Sequence, residues 1–233
     1  MQREYLKKQF AEFGLFPDEE QTDRFLKYYE LLVSWNEKFN LTAITEFEDV
    51  VTKHFLDSCL GAEFIADKNC SLCDVGTGAG FPGIPLKIMF PELKVFLLDS
   101  LKKRVDFLNT VISELSLSDI TALHGRAEEV SRKPEYREQY DVCVSRAVAS
   151  LSSLSEICLP FVKKGGKFIA YKSQKAGEEL SDAQNAIKIL GGSACLHERE
   201  LLDARRVFIE ISKISSTPPK YPRAGGKPFS KPL

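Results

Sequence analysis

The sequence predicts an α/β protein with a doubly wound, mainly parallel sheet of seven strands, preceded by a helical N-terminal lobe. Two observations lead to this prediction. The first 60 residues repeat apolar side chains at helical spacing, whereas from about residue 70 seven short apolar segments alternate with helical stretches. Helices that connect successive strands cover both faces of a sheet and make most of its strand pairs parallel.

Composition limits the class of protein. The chain has 233 residues, of which 43% are hydrophobic and 28% are charged, and this excludes a disordered or fibrous protein. No apolar run approaches the roughly 18 residues of a membrane span. Residues 1–8 are polar and charged with no apolar stretch behind them, so we expect a cytoplasmic protein with no membrane partner. No obligate protein partner is evident.

The cysteines predict neither disulfides nor a metal site. The six cysteines are scattered among apolar neighbours, which is typical of reduced thiols. Cys70 and Cys73 form a C-x-x-C pattern, but zinc needs two further ligands and no second pair of this kind exists. We therefore expect two buried thiols and no metal.

The N-terminal lobe is predicted at residues 1–62. Its main helix carries one apolar stripe at i, i+3, i+4, i+7 spacing: Phe25, Tyr28, Tyr29, Leu32, Trp35 and Phe39. Gly14 and Pro17 separate it from a preceding helix. A further helix is expected through Val50, Val51 and Phe55. The aromatic side chains of the lobe are interpreted as core.

The main domain is predicted at residues 63–215 and contains the seven strands. The candidate strands are Ser71–Val75, Lys94–Leu98, Ile120–His124, Tyr140–Ser145, Lys167–Tyr171, Ser193–His197 and Val207–Ser212. Helical periods fill most of the intervals, for example residues 101–115 and 176–190. The last two strands leave no room for a helix between them, so we expect them to pair antiparallel.

A glycine-rich loop follows the first strand and indicates a ligand site. Gly76, Gly78, Gly80 and Gly83 lie between this strand and a helix. Glycines let the backbone turn sharply and approach a ligand closely, and ligands of doubly wound sheets bind at the carboxyl ends of the strands. The residues from Gly78 to Gly83 also satisfy the dinucleotide pattern G-x-G-x-x-G, which is weak evidence by itself.

Two carboxylates beside this loop bear on the identity of the ligand. Asp99 ends the second strand and can accept ribose hydroxyls in an NAD site or an adenosyl site alike. Asp74 ends the first strand, where its charge would repel a pyrophosphate but attract the sulfonium and ammonium groups of S-adenosylmethionine. The residues therefore favour a methyl-donor site, with Asp74, Gly76, Gly78 and Asp99 as binding residues. An NAD- or NADP-dependent oxidoreductase is the alternative.

Longer motifs resemble one family. Asp74 to Pro85, Leu97 to Arg104, Gly125 to Glu128, Ser145 to Ala147 and His54 to Ser58 are similar to the RsmG (GidB) family. The resemblance runs from about residue 30 to residue 212. It implies a Rossmann-like, class I S-adenosylmethionine-dependent methyltransferase that modifies N7 of one guanine in bacterial small-subunit (16S) ribosomal RNA. A non-catalytic RNA-binding module is a further alternative.

The resemblance also implies site residues. It places the cofactor against Gly76 and Phe81, next to Ala127 and Glu128 after the third strand and Arg146 after the fourth. Phe81 can pack on the apolar part of the donor, and the Ala127 N–H and the Glu128 carboxylate can meet the amino edge of adenine.

Two of these roles have structural alternatives. Arg146 can hold a carboxylate or an RNA phosphate, and its alternative is a structural ion pair. The alternative for Glu128 is a surface carboxylate. Guanine N7 has a free lone pair and no proton, so we expect no general base and no catalytic residue of that kind.

The C-terminal tail, residues 216–233, is basic and rich in proline. It carries Lys220, Arg223, Lys227 and Lys231 but no acidic residue. Aromatic side chains among its prolines can stack on bases, which is consistent with a segment laid along RNA. Lys172, from a second acid-free stretch, joins Arg223, Lys227 and Lys231 as a candidate RNA-binding residue. A flexible solubilising tail is the alternative.

Overall fold

The structure is a computed structural model that describes residues 1–146, 149–173, 175–201 and 204–233. Ala147, the third residue of one family motif, lies outside the described residues. The helices are α1 (Gln2–Ala11), α2 (Glu19–Phe39), α3 (Phe47–Val50), α4 (Asp57–Leu60), α5 (Gly83–Met89), α6 (Lys102–Glu114), α7 (Ala127–Val130), α8 (Leu151–Cys158), α9 (Ala176–Ile189) and α10 (Lys227–Ser230). A π-helical turn, Val51–Leu56, joins α3 to α4.

The strands form one seven-stranded sheet. They are β1 (Ser71–Val75), β2 (Lys94–Asp99), β3 (Ile120–His124), β4 (Tyr140–Arg146), β5 (Val162–Lys172), β6 (Gly192–Leu201) and β7 (Ala204–Lys213). Their order is β3-β2-β1-β4-β5-β7-β6. The pairs among β1 to β5 are parallel, and β7 runs antiparallel to both β5 and β6. The predicted fold class and the antiparallel final pair are confirmed.

The sheet is covered on both faces because its strands alternate apolar side chains. Leu72 and Leu97 belong to a core cluster with the N-terminal helices, α5 and α6. Cys73 and Leu98, one residue further along each strand, belong to a second cluster with α8 and α9. Successive side chains of a strand point to opposite faces, so these five- and six-residue strands supply both cores.

The N-terminal helices share the first of these clusters with the sheet. Phe10, Phe25, Tyr28 and Phe55 are fully buried there with residues of β1 and β2. The start of α2 is fixed by a capping box, in which Asp18 and Gln21 satisfy each other's backbone N–H groups. Because the lobe shares this core with the sheet, it packs at the edge of the sheet where the glycine loop lies.

The C-terminal residues pack against the main domain. The Arg137 guanidinium donates to the carbonyls of Thr217 (2.8 Å) and Tyr221 (3.0 Å). The Arg132 guanidinium donates to the carbonyl of Pro222 at 3.0 Å. We call residues 216–233 the C-terminal strap, since the alternative of a flexible tail does not fit these contacts.

Within the described parts of the chain, no helix is long and apolar enough to cross a bilayer.

Candidate active site

The loop between β1 and α5 depends on glycine. Gly76, Gly78 and Gly80 have φ angles of 72°, 62° and 102°, a region in which side chains with a Cβ are strained. A Cβ on Gly80 would also lie 2.6 Å from the Tyr28 hydroxyl oxygen. That hydroxyl donates to the carbonyl of Ala79. Helix α2 therefore supports the backbone of the loop through the Tyr28 hydroxyl.

Asp74 lies beneath the loop and is fully buried. Its Oδ2 accepts hydrogen bonds from the Thr77 hydroxyl (2.6 Å) and the Gly83 backbone N–H (2.8 Å), which joins the two ends of the loop. Its Oδ1 has no hydrogen-bond partner among the described residues. Burial raises the pKa of the Asp74 carboxyl to about 7.

This environment of Asp74 differs from the one that the sequence predicts. A full negative charge on Asp74 would have to face the ligand in order to attract its sulfonium group, whereas the carboxyl is enclosed by the loop and is not in the lining of any cavity described below. A carboxyl with a pKa near 7 is only partly ionised at neutral pH. The structure thus gives Asp74 a supporting role for the loop and weakens its use in discriminating one ligand from another.

Asp99, at the end of β2, holds the other side of the loop. Its Oδ2 accepts from the Gly78 N–H at 2.9 Å, and its Oδ1 accepts from the Leu101 N–H at 2.9 Å. The Arg104 guanidinium lies 3.4 Å from Oδ2. The carboxylate is thereby fixed at the edge of the sheet, and remaining lone pairs can still accept hydroxyl groups.

Two adjoining cavities lie over the carboxyl ends of β1, β2 and β3, and we call them together the cofactor cleft. The smaller, of about 110 Å³, is lined by Val75, Gly76, Leu98, Asp99, Ser100, Gly125, Arg126, Ala127, Glu128, Ile157 and Phe229. The larger, of about 430 Å³, is lined by Leu41, Thr42, His54, Gly76, Thr77, Gly78, Ala79, Phe81, Asp99, Ser100, Arg104 and Arg146. The predicted cofactor residues other than Asp74 all line this cleft.

Glu128 has an unused acceptor in the smaller cavity. Its side chain is 4% exposed, and its Oε1 makes no hydrogen bond within the described residues. The Arg126 guanidinium lies 3.5 Å away. The alternative of a surface carboxylate is therefore wrong, and a buried acceptor without a donor suits a ligand that brings an N–H group.

Phe81 is enclosed by two other side chains in the larger cavity. Its ring stacks on His54, with 4.5 Å between ring centroids and 24° between planes. The Arg146 guanidinium carbon lies 5.0 Å from the same ring centroid, which is a cation–π distance. These contacts fix Phe81 at the junction of the N-terminal lobe and the sheet.

Arg146 is both a cleft residue and a member of an ion pair. Its Nη1 donates to Asp57 Oδ2 at 2.9 Å, and its Nη2 lies 3.3 Å from His54 Nδ1. The other oxygen of Asp57 accepts from Arg206 Nε at 2.5 Å. The structural alternative for Arg146 is thus present together with its position in the cleft.

His54, Asp57 and Tyr28 are site residues that sequence reasoning missed. Burial, together with the nearby Arg146 charge, lowers the pKa of His54 to about 4, so its ring is neutral at pH 7. The π-helical turn precedes Asp57 and brings both side chains to Arg146. The motif His54 to Ser58 is the sequence signal for His54 and Asp57, whereas Tyr28 belongs to the apolar stripe of α2 and has no such signal.

A third cavity of about 530 Å³ adjoins the cleft, and we call it the basic cavity. It is lined by Ile44, Lys53, His54, Asp57, Arg146, Ala149, Tyr171, Lys172, Ser173, Glu179, Arg206, Val207 and Phe208. His54 and Arg146 belong to both the basic cavity and the cofactor cleft. The two spaces therefore meet at these side chains.

Two of the predicted RNA-binding residues have internal partners. The Lys172 ammonium, with a side chain 7% exposed, lies 2.7 Å from Glu179, and Arg223 forms a two-pronged contact with Glu156. Their charges are used within the protein, which argues against their prediction as free phosphate-binding groups. Lys227 and Lys231 are exposed.

In the described ranges, no three metal-ligating side chains lie close enough to bind a metal ion.

Comparison with known proteins assigns the family. A family model described as rRNA small subunit methyltransferase G (GidB) matches residues 21–202. A protein named ribosomal RNA small subunit methyltransferase G from Lachnoclostridium phytofermentans is 53% identical over 226 residues, covering 94% of this chain and 93% of the relative. One of the same name from Staphylococcus aureus (strain Newman) is 53% identical over 236 residues, covering 99% and 98%.

Solved structures share the fold at low identity. A SAM-dependent methyltransferase from Aquifex aeolicus superposes with a TM-score of 0.51 at 19% identity, covering 70% of this chain and 92% of that chain. A predicted O-methyltransferase from Agrobacterium tumefaciens gives 0.55 at 19% identity, covering 68% and 81%. These likenesses show the Rossmann-like methyltransferase fold. With the glycine loop and the family model in agreement, the chain belongs to the family of ribosomal RNA small subunit methyltransferase G.

Proposed function

We propose that this protein transfers a methyl group from S-adenosylmethionine to N7 of a guanine in small-subunit ribosomal RNA. The single observation that carries the proposal is the cofactor cleft at the carboxyl edge of the sheet, in a chain of this family. The donor supplies a methyl group bonded to a positively charged sulfur.

The lining of the cleft fits the parts of this donor. Glu128 Oε1, which makes no hydrogen bond among the described residues, offers an acceptor to the adenine amino group, and Asp99 can accept the ribose hydroxyls. Gly76 is common to both cavities of the cleft, so the donor would pass over it. The methionine part would then lie towards Gly78 and Phe81, beside Arg146, which can pair with its carboxylate.

The acceptor base would enter through the basic cavity. This space meets the cleft at His54 and Arg146, where the methyl group would lie. Its lining carries four cationic side chains but only two carboxylates, so it keeps an excess of positive charge although Arg206 is paired with Asp57. An RNA segment carries one negative charge per phosphate, so cations at the entrance favour its approach. Lys227 and Lys231 are proposed to add phosphate contacts from the C-terminal strap.

The reaction requires the protein to align the two reactants but not to transfer a proton. N7 attacks with its own lone pair, the bond between methyl and sulfur breaks, and the positive charge passes from sulfur to the base. No proton has to be removed, so neutral His54 is not needed as a general base. Its contacts instead hold Phe81 and Arg146 in place. Alignment of the two reactants and exclusion of water can supply a large part of the rate.

The three segments of the chain are proposed to have different roles. Residues 1–62 support the glycine loop, residues 63–215 bind the donor, and residues 216–233 contribute to the RNA side. Ribosomal RNA, free or in the small subunit, is the proposed partner, and the cytoplasm, where ribosomes are made, is the proposed location.

The test is a map of methylated positions in small-subunit ribosomal RNA from cells with and without the protein. The expected result is one N7-methylguanosine that disappears with the gene, is restored by the wild-type protein and is not restored by a Gly76→Val variant. In vitro, labelled methyl groups should enter the same nucleotide. Label found only in protein or DNA would refute the proposal, tighter binding of NAD than of S-adenosylmethionine would favour the oxidoreductase, and donor binding without transfer would favour a binding module.

A further inference from the structure

The C-terminal strap reaches the cofactor cleft. Phe229, in the one-turn helix α10, lines the smaller cavity together with Ala127, Glu128 and Ile157. Its side chain remains 44% exposed. A large aromatic ring that is half-exposed at the wall of a cavity has apolar surface which a ligand can cover.

The strap is held beside this cavity by a buried ion pair. Glu156 is fully buried, and it accepts from the Arg223 backbone N–H at 2.7 Å, from Nε at 2.8 Å and from Nη2 at 2.6 Å. Removing the arginine would leave a buried carboxylate without its counter-charge, which is strongly unfavourable. Glu156 precedes Ile157, a lining residue, so the anchor and the cavity lie side by side.

A second contact fixes the residue next to Phe229. The Ser153 hydroxyl donates to the carbonyl of buried Pro228 at 2.7 Å. Helix α10 packs on α8, the helix that carries both Ser153 and Glu156. The Phe229 ring is therefore held at the cavity by two contacts, at Arg223 and at Pro228, which both precede it in the strap.

We infer that Phe229 is a cofactor-binding residue that closes the adenine end of the cleft. This inference rests on the proposed function, because it takes the smaller cavity as the adenine site. Glu128 would meet the amino edge of the base, and the Phe229 ring would cover part of the base's surface. Aromatic contact of this kind gains free energy beyond simple burial. The strap thus belongs to the donor site, in addition to any contact that its lysines make with RNA.

The test measures donor affinity by calorimetry in the full chain. Phe229→Ala should weaken S-adenosylmethionine binding about 2- to 13-fold, whereas Phe229→Trp should keep it close to wild type. Ser230→Ala is the matched control, since Ser230 is exposed on the same one-turn helix but does not line the cavity, and the affinity of this variant should not change. Thermal unfolding without ligand should be the same for all three variants, because Phe229 is half-exposed.

A second ligand tests whether the effect of Phe229→Ala arises at the adenine end of the cleft. Methylthioadenosine has the adenine but lacks the methionine carboxylate and ammonium, so Phe229→Ala should weaken it by the same factor as S-adenosylmethionine. A loss confined to S-adenosylmethionine, or an unchanged affinity for both, would overturn the inference while leaving the proposed function intact. Failure of the wild-type protein to bind S-adenosylmethionine would instead refute the proposed function.

Discussion

At the residue scale, the glycine loop combines conformational strain with closeness to the ligand. Gly76 has a φ of 72° and lies in the lining of both cavities of the cleft. Holding a residue with a Cβ in this backbone region costs about 1–3 kcal/mol. Most of the functional consequence, however, comes from the side chain that would occupy the space of the donor.

Gly76→Val should therefore abolish S-adenosylmethionine binding. Gly14 gives the matched control, since its φ of 71° imposes the same strain in a turn where a Cβ would meet no atom within 4 Å. We expect both variants to lower the Tm, and only Gly76→Val to lose the donor in a calorimetric titration. Wild-type donor affinity in Gly76→Val would show that the donor does not lie against this loop.

Asp74→Asn should change the pH dependence of stability. The folded-state pKa of about 7 lies above the unfolded value of 3.8, so the unfolded state ionises first as the pH rises. The contribution of Asp74 to stability is complete below pH 3.8 and is lost as the pH rises towards 7. Asparagine retains a carbonyl oxygen that can accept from Thr77 and Gly83 but has no charge to bury.

The free energy of unfolding of Asp74→Asn, relative to wild type, should thus increase between pH 4 and pH 7, by about 1.4 kcal/mol per pH unit at most, and level off above. Urea unfolding across this pH range measures it. A constant difference between the two proteins would mean that Asp74 ionises in the folded state as it does in the unfolded chain.

At the element scale, the strap illustrates what a linear pattern can and cannot reveal. The sequence predicted all seven strands because short apolar segments flanked by turns are local features, and each predicted segment lies within or closely matches an observed strand. The partners of Arg223 and Phe229 lie more than 60 residues away along the chain. No local pattern could identify them, so the basic, proline-rich tail predicts an RNA contact for Arg223, whose charge is instead paired with Glu156 in the fold.

The site shows the same distinction. The glycine loop, Asp99 and Glu128 follow strand ends, and the rule that ligands bind at carboxyl ends of strands brings them together. His54 and Asp57 come from the N-terminal lobe, and their approach to Arg146 depends on how that lobe packs on the sheet. Their position could be learned only from the folded chain.

The exposed lysines of the strap lead to a prediction about RNA binding. Changing Lys227 and Lys231 together to glutamine should make the plot of log K against log salt shallower by up to about 1.4–1.8, since each phosphate contact adds about 0.7–0.9 to the slope. The matched control changes Lys94 and Lys164, which are exposed near the amino ends of β2 and β5, on the edge away from the cleft. Equal slopes for the two double variants would show that Lys227 and Lys231 do not contact RNA.

At the scale of the whole molecule, one hydrophobic core connects the lobe to the sheet. Trp35, the only tryptophan, lies on α2 and packs against Phe107 of α6, with 5.5 Å between ring centroids. Tyr28 and Phe81 link the same helix to the glycine loop, at 5.6 Å. Loss of the lobe would expose this aromatic surface and remove the support of the cofactor cleft.

Unfolding should therefore be one cooperative transition. Trp35 fluorescence reports on the lobe and far-ultraviolet circular dichroism on all helices and strands, so the two urea curves should coincide. The fragment of residues 63–233 alone should not fold cooperatively. Two separated transitions, or a stable fragment, would show that the lobe is an independent domain.

The position of β7 has a consequence for synthesis of the chain. This strand is made last, yet it lies between β5 and β6. Until β7 is available for folding, the parallel part of the sheet ends in β5, whose unpaired edge can accept, within the same chain, only a later strand. An unpaired edge of this kind invites pairing with other chains. Because Phe229 follows β7 in the chain, the sheet and the proposed donor site are both completed by segments that are synthesised after β1 to β6.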